Sequence, residues 1–168
     1  MIIKSYEISK INIKKNNIFL FYGKNEGLKN EALNFLIKDK NNISKYDEKE
    51  ILDNEDKFIE NILTKSLFEQ QKFIVIKRAT DKILKIIETL HLKNLEDTII
   101  VINSDILEKK SKLRSFFEKD KALICVPFYP DNEQTLSKLA YNFLRDKKIL
   151  ISSSNINLIV NKCSGDRE

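Results

Sequence analysis

The fold is decided by the stretch NIFLFYGKNEGLKN, residues 17–30. It opens with a continuous apolar run, turns between two glycines, and then begins an amphipathic pattern that sets Leu28, Ala32 and Leu36 on one helix face. In parallel α/β proteins this strand–loop–helix is where phosphates bind, because the loop amides and the helix N-terminus point at the anion. The stretch therefore predicts a loop of the phosphate-binding type after a buried strand.

The loop lacks most of the groups that a nucleotide site uses. The matching motif is Gly-x-x-x-x-Gly-Lys-Ser/Thr. Counted from Gly23, Leu28 replaces the second glycine and Lys29 keeps the lysine. Asn30 replaces the Mg²⁺-binding hydroxyl. We expect a degenerate loop, inactive and without a cofactor, although an ordinary βα turn that never bound nucleotide is the alternative interpretation.

A neighbouring strand points the same way. Phosphoryl-transfer enzymes hold Mg²⁺ with a carboxylate at the end of an adjacent buried strand. The best candidate strand, residues 73–76, runs into Lys77 and Arg78. Two cations at this position would repel the metal, so the sequence indicates an ATPase-like fold without ATPase chemistry.

Composition excludes several classes of protein. The 168 residues are 42% hydrophobic and 33% charged, as expected of one globular domain with room for the start of a second. No apolar run approaches the roughly 18 residues of a membrane span. The N-terminus has no signal-peptide core, which predicts a cytoplasmic protein.

Charge and rare residues give little support to DNA readout, metal binding or triad catalysis. The net charge of +5 rests almost entirely on lysine, so the usual bidentate base-reading arginines are scarce. Cys125 and Cys163 lie far apart and predict buried, reduced thiols rather than a zinc or redox motif. His91 is the only histidine, so no metal site is expected.

Strand and helix patterns alternate along the first 130 residues. Helices are predicted at 5–14, 26–38, 81–91 and 108–119, with a further one beginning at 53, and strands at 18–22, 43–47, 73–76, 98–102 and 122–126. In the helix that begins at 53, Phe58, Ile59, Ile62 and Leu63 are expected to face the core. This alternation predicts a three-layer α/β fold with a parallel sheet.

The pattern changes after residue 130. Two helices are predicted at 133–147 and 153–162 without a strand between them, so we expect an α/β domain at 1–130 and the beginning of a helical second domain at 131–168. Residues 165–168 look like the start of another helix, which predicts a truncated second domain.

The order of these elements, the Tyr22-Gly23 turn with its defective loop, and two short motifs carry a resemblance to a known family. The motifs are Ser66-Leu67-Phe68, before the strand at 73–76, and Ser164-Gly165-Asp166-Arg167. Together they resemble the delta subunit of bacterial DNA polymerase III. That subunit belongs to the clamp loader, an AAA+-type machine that opens the ring-shaped sliding clamp for loading onto primed DNA. The resemblance spans nearly the whole sequence and covers the family's first domain and the start of its second.

The resemblance implies a non-catalytic role. Such a subunit binds the sliding clamp (beta) and, at full length, assembles with the gamma/tau and delta prime subunits, meeting primed DNA only as part of the complex. Leu67 and Phe68 match the family's clamp-contacting pair. Asn103 matches the place of a polar γ-phosphate sensor in active relatives, but a turn residue at the end of a strand is the favoured interpretation.

Alternatives remain open for these residues and for the function. Adjacent apolar residues after an amphipathic helix are more often core than interface, and Leu67, four residues after Leu63, could extend a buried stripe. Phe68 would lie about 100° further round a continuing helix. With the resemblance added, we favour an interface for the pair. An active P-loop enzyme, such as a small ATPase or nucleotide kinase, is the second hypothesis. A lysine-rich DNA-binding module is the third; for it, the run at 109–112 with Arg114 could approach phosphates, but a solvated helix face is favoured.

Overall fold

The computed structural model describes residues 1–11, 13, 16–37, 43–64, 71–93, 95 and 97–163. Within them, the strands are β1 (Ile18–Tyr22), β2 (Ile43–Asp47), β3 (Lys72–Lys77), β4 (Thr98–Ser104) and β5 (Ile124–Pro127). The α-helices are α1 (Glu26–Leu36), α2 (Glu48–Asp53), α3 (Glu55–Leu63), α4 (Leu84–His91), α5 (Lys112–Lys119), α6 (Glu133–Asp146) and α7 (Ser153–Cys163). Short 3-10 helices cover Ser5–Lys10 and Asp81–Ile83.

The strands form one parallel sheet in the order β2-β3-β4-β1-β5. β1 lies between β4 and β5, so Ile18 pairs with Ile100 while Phe19 pairs with Ile124. Every residue of β1 is buried. Strands covered on both faces need apolar side chains on both, which explains why β1 and residues 99–102 of β4 are continuous apolar runs rather than alternating ones.

Successive residues of β1 point into two different cores. Ile18, Leu20 and Tyr22 lie in a cluster with side chains of α3, α4 and α5. Phe19 and Phe21 lie in a second cluster, with side chains of α1. The sheet is thus sandwiched between two helical layers, which confirms the predicted three-layer α/β fold.

Several predicted helices differ from the structure at their ends. The segment predicted as a helix at 5–14 begins with a 3-10 helix, and the helix predicted at 81–91 opens with a 3-10 turn before α4. The helix predicted at 108–119 begins only at Lys112, because Ser111 supplies its N-cap by accepting from the amide of Arg114.

The pattern above does not predict α2, although a signal for it is present. Asp47 and Glu50 form a capping box, in which the Glu50 side chain accepts from the Asp47 amide at 2.9 Å. In the following helix, α3, Phe58 and Ile62 are buried, but Leu63 is 41% exposed. The prediction that Leu63 faces the core is therefore wrong.

After β5 the chain forms α6 and α7 with no strand between them, as predicted. The two helices pack through Leu136, Ile156 and Val160, with Ala140 and Ile151 at the margin.

Asp81 holds the start of α5 and should make stability depend on pH. It accepts from the Ser111 hydroxyl at 2.6 Å and from the amides of Lys112 and Leu113 at 3.0 Å. Desolvation raises the pKa of Asp81, but these hydrogen bonds outweigh it and set the pKa below its ordinary value. A carboxyl whose pKa falls on folding stabilises the protein above its unfolded pKa, about 3.9, and loses that effect as the pH falls through its folded pKa.

We therefore expect Asp81→Ala to cost about 1 kcal/mol of unfolding free energy at pH 7, as loss of a helix cap does. The difference from wild type should shrink as the pH falls below about 4. Thermal melts of both proteins across this range measure it, and Glu88→Ala, which removes an exposed carboxylate from neighbouring α4, is the control. A cost that stayed constant with pH would contradict the assignment to the Asp81 carboxylate.

Candidate functional site

The degenerate loop, residues 23–30, lies at the carboxyl end of β1. In open parallel sheets ligands bind at this edge, between two neighbouring strands whose following connections lie on opposite faces of the sheet. Asn25 caps α1, because its side-chain oxygen accepts from the Leu28 amide at 3.0 Å. The predicted strand–loop–helix is thus present, with α1 opening directly from the loop.

Gly23 allows another part of the backbone to close over the loop. Its φ is +124°, in the region that favours glycine. A Cβ at this position would lie 2.1 Å from the carbonyl oxygen of Phe128, just after β5. Phe128 is fully buried, with its ring centroid 4.9 Å from that of Phe21. Gly23 is therefore needed for this close backbone approach.

Several backbone amides of the loop donate to acceptors within the protein. The amide of Gly23 donates to the carbonyl of Asp105 at 3.1 Å, and that of Asn25 donates to the carbonyl of Phe128 at 3.4 Å. The amides of Glu26 and Lys29 also donate to backbone carbonyls of the loop. A phosphate cradle works by pointing such N–H groups at the anion, whereas these four amides donate to carbonyls of the protein itself.

Lys29 is buried and turned towards β4. Its Nζ donates to the Asn103 side-chain oxygen and to the Ser104 carbonyl, both at 2.9 Å. It also forms an ion pair with Glu26 at 2.5 Å. The lysine that would reach a phosphate thus fastens α1 to the end of β4. The structure brings together Lys29 and Asn103, and Asn103 acts as an acceptor for the lysine.

The other two motif positions, Leu28 and Asn30, hold the side chains that replace the residues of the motif. Leu28 is half-buried and packs against the core that contains Phe19 and Phe21. Asn30 is exposed on α1, where the motif has a metal-binding hydroxyl.

The end of β3 carries cations, as the sequence indicates. Lys77 is exposed, and Arg78 has a φ of +54° and forms an ion pair with Asp47 at the end of β2. Nowhere in the described ranges do three or more histidine, cysteine or acidic side chains gather in a way that could hold a metal ion.

The predicted clamp-binding residues Leu67 and Phe68 lie outside the described residues. α3 ends at Leu63, and Thr64 is its C-cap in an extended conformation. The helix geometry that set Leu67 and Phe68 on different faces assumed a continuing helix, so that argument no longer applies. The structural observation that still bears on an interface in this region is the exposed side chain of Leu63, in the last turn of α3.

The basic run after β4 is divided between solvent and structure. Lys109, Lys110 and Lys112 are exposed. Arg114 instead lies over the Tyr22 ring, 5.0 Å from its centroid, and donates to Glu118 at 2.7 Å. These contacts fix the guanidinium within the fold, so the favoured prediction of a solvated helix face is wrong for Arg114.

The cysteines and the histidine have structural environments. Cys125 is buried as predicted, and desolvation raises the pKa of its thiol to about 12. Cys163 is exposed, so the prediction of burial is wrong for this residue. His91 Nε2 lies 2.8 Å from the Asp120 carboxylate, joining the ends of α4 and α5.

Comparison with known proteins supports the fold. No protein-family model and no curated protein sequence matches the chain. The Bacillus subtilis DNA clamp loader delta protein (YqeN) superposes with a TM-score of 0.64 and 16% identity, over 92% of this chain and 50% of that protein. The chain has the fold of that delta protein. It spans half of that protein's length.

A Walker-type ATPase of Pyrococcus abyssi also superposes, with a TM-score of 0.49 and 11% identity, over 94% of this chain and 61% of that one. Together with the parallel sheet, the likeness to the delta protein confirms the predicted α/β fold. Across the described residues, no helix is both long and apolar enough to span a bilayer.

Proposed function

We propose that this chain is a non-catalytic clamp-loader subunit of the DNA polymerase III holoenzyme, which binds the sliding clamp and helps to open it for loading onto primed DNA. The observation that carries the proposal is the closed degenerate loop on a delta-like fold. Lys29, the one phosphate-binding side chain left in the motif, is bonded to Asn103 and Ser104 instead. A subunit that has this fold and does not act on nucleotide would work by binding a partner protein.

The clamp contact in this proposal is Leu67 with Phe68. In the sequence they follow α3, which ends at the exposed Leu63, and they precede β3. A leucine–phenylalanine pair presents a large apolar area with few rotatable bonds, which is the composition of a hot spot that fills a pocket.

The proposal extends to assembly and domain organisation. Residues 1–130 are the AAA+-like clamp-binding domain, and 131–168 begin a helical second domain. In the full-length protein the partners are the sliding clamp (beta) and the gamma/tau and delta prime subunits. Primed DNA is met only as part of that complex, in the cytoplasm.

Binding to the cognate sliding clamp tests the proposal directly. We expect immobilised clamp to bind the purified protein saturably in the micromolar range or tighter, with the same affinity whether or not Mg-ATP is present. A clamp carrying a blocked hydrophobic pocket is the matched control and should lose the signal. Failure to bind intact clamp with a folded protein would refute the proposal.

The alternative, an active P-loop enzyme with an atypical loop, is favoured by one observation, the preserved strand–loop–helix with Lys29 at its motif position. It predicts nucleotide binding, which the proposed function does not.

Calorimetric titration with Mg-ATP should therefore give no binding isotherm. The same result is expected for the motif-restoring variant Leu28→Gly/Asn30→Ser, because the amides of Gly23 and Asn25 would still donate to carbonyls of the fold. A micromolar isotherm for the wild-type protein would favour the enzyme. An isotherm for the restored variant alone would show that side chains, rather than loop closure, abolish binding.

A further inference from the structure

The connector between β5 and α6, residues 128–132, is bonded directly to the degenerate loop. Asn25 Nδ2 donates to the Asp131 carboxylate at 2.7 Å and to the Tyr129 carbonyl at 3.1 Å. The Asn25 amide donates to the Phe128 carbonyl, which also lies against Gly23. One loop residue thus makes three hydrogen bonds to the segment that leads into α6.

The Asp131 carboxylate lies between the N-termini of two helices. Its Oδ2 accepts from Asn25, the N-cap of α1. Its Oδ1 accepts from the hydroxyl of Thr135, in the first turn of α6, at 2.9 Å. The positive ends of both helix dipoles favour a negative charge here. Asp131 therefore joins the start of α6 to the start of α1.

We propose that the degenerate loop is an intramolecular latch, in which the Asp131 carboxylate is the anion held at the N-terminus of α1 and fixes α6 relative to the sheet. In a working phosphate loop the anion belongs to a ligand that arrives and leaves. Here it is part of the chain, so the position of α6 is independent of nucleotide. The latch does not depend on whether the protein binds a sliding clamp.

A distance measurement across the latch tests the proposal. Spin labels are placed at Cys163, the exposed thiol that ends α7, and at Asn34→Cys, on the exposed side of α1; Cys125 is buried. The distance between the labels reports the position of α7 relative to the sheet. Because α6 and α7 pack together, it reports the position of α6 as well. We expect a narrow distance distribution that Mg-ATP does not change. Asp131→Ala should widen it by at least about twofold, since local opening follows the loss of such contacts.

Three further variants separate the latch from a general effect on α6. Glu133→Ala removes an exposed carboxylate from the first turn of α6 and should leave the width unchanged. Asn25→Asp keeps an acceptor for the Leu28 amide but opposes two carboxylates, so it should widen the distribution. Adding Asp131→Asn restores a donor and an acceptor in reversed roles and should narrow it again.

Circular dichroism and melting establish that each variant is folded before its distances are compared. An unchanged width in folded Asp131→Ala, a shift on adding Mg-ATP to wild type, or no recovery in the folded double variant would each overturn the latch.

Discussion

Replacing Gly23 with alanine should lower the melting temperature by about 10 °C, which corresponds to roughly 4 kcal/mol for a protein of this size. The new Cβ would lie 2.1 Å from the Phe128 carbonyl oxygen and 2.8 Å from its carbon, both backbone atoms. Phe128 cannot move away easily, because it is fully buried and follows β5 directly. Alanine would also be strained at a φ of +124°, because this region favours glycine.

Gly27→Ala is the matched control for this substitution. Gly27 lies in the first turn of α1, and its φ is not in the positive range. Alanine there should be neutral or stabilise the helix by up to about 1 kcal/mol. Similar melting temperatures for the two variants would mean that the Gly23–Phe128 approach does not hold the loop closed.

Truncating Leu67 and Phe68 together to alanine should weaken binding to the sliding clamp by well over tenfold. Anchors of this kind typically lose about 2 kcal/mol or more each when truncated, and each ~1.4 kcal/mol is a factor of ten in affinity. The melting temperature should stay close to that of wild type if the pair faces the partner. Two core side chains would instead cost roughly 4 kcal/mol or more of stability.

The control for this experiment removes one exposed leucine and one exposed phenylalanine elsewhere in the fold. Leu92 and Phe143 are 85% and 60% exposed, and Leu92→Ala/Phe143→Ala removes the same atoms elsewhere. Clamp affinity should be unchanged in this variant. A large fall in melting temperature for Leu67→Ala/Phe68→Ala would assign the pair to the core, and full affinity in a folded variant would move the contact elsewhere.

The sequence predicts those parts of the fold and site that depend on local pattern. β1 and residues 99–102 of β4 are continuous apolar runs, because strands covered on both faces have no polar side. The degenerate loop is recognisable since its motif positions are adjacent in sequence: Leu28 and Asn30 are visible as misfits without any structure. Lys29 and Asn103 are each identified as residues of interest, one as a motif remnant and the other by its place at a strand end.

The closure of the loop could not be predicted from local sequence pattern, because it joins segments that are distant in the sequence. Gly23 meets Phe128, and Asn25 meets Asp131, across more than one hundred residues. Glycine, asparagine and aspartate are ordinary turn residues, so their types alone do not indicate these contacts. Arg114 and Leu63 fail for a related reason. Sequence pattern predicts that an arginine in a lysine-rich run is exposed to solvent, whereas Arg114 packs over the Tyr22 ring. The buried face of α3 is narrower than its apolar residues suggest, since Leu63 is exposed.

The central position of β1 has a consequence for how the chain folds. Of the five strands described, β1 is synthesised first. It pairs with β4 and β5, so neither of its edges can pair until those later strands have been synthesised. At the usual rate of translation, the roughly 80 residues to β4 take about 4 to 16 seconds. Through that interval the run Ile18–Tyr22 is an apolar strand with two unpaired edges. Such late, long-range pairing slows folding and exposes a surface that chaperones bind.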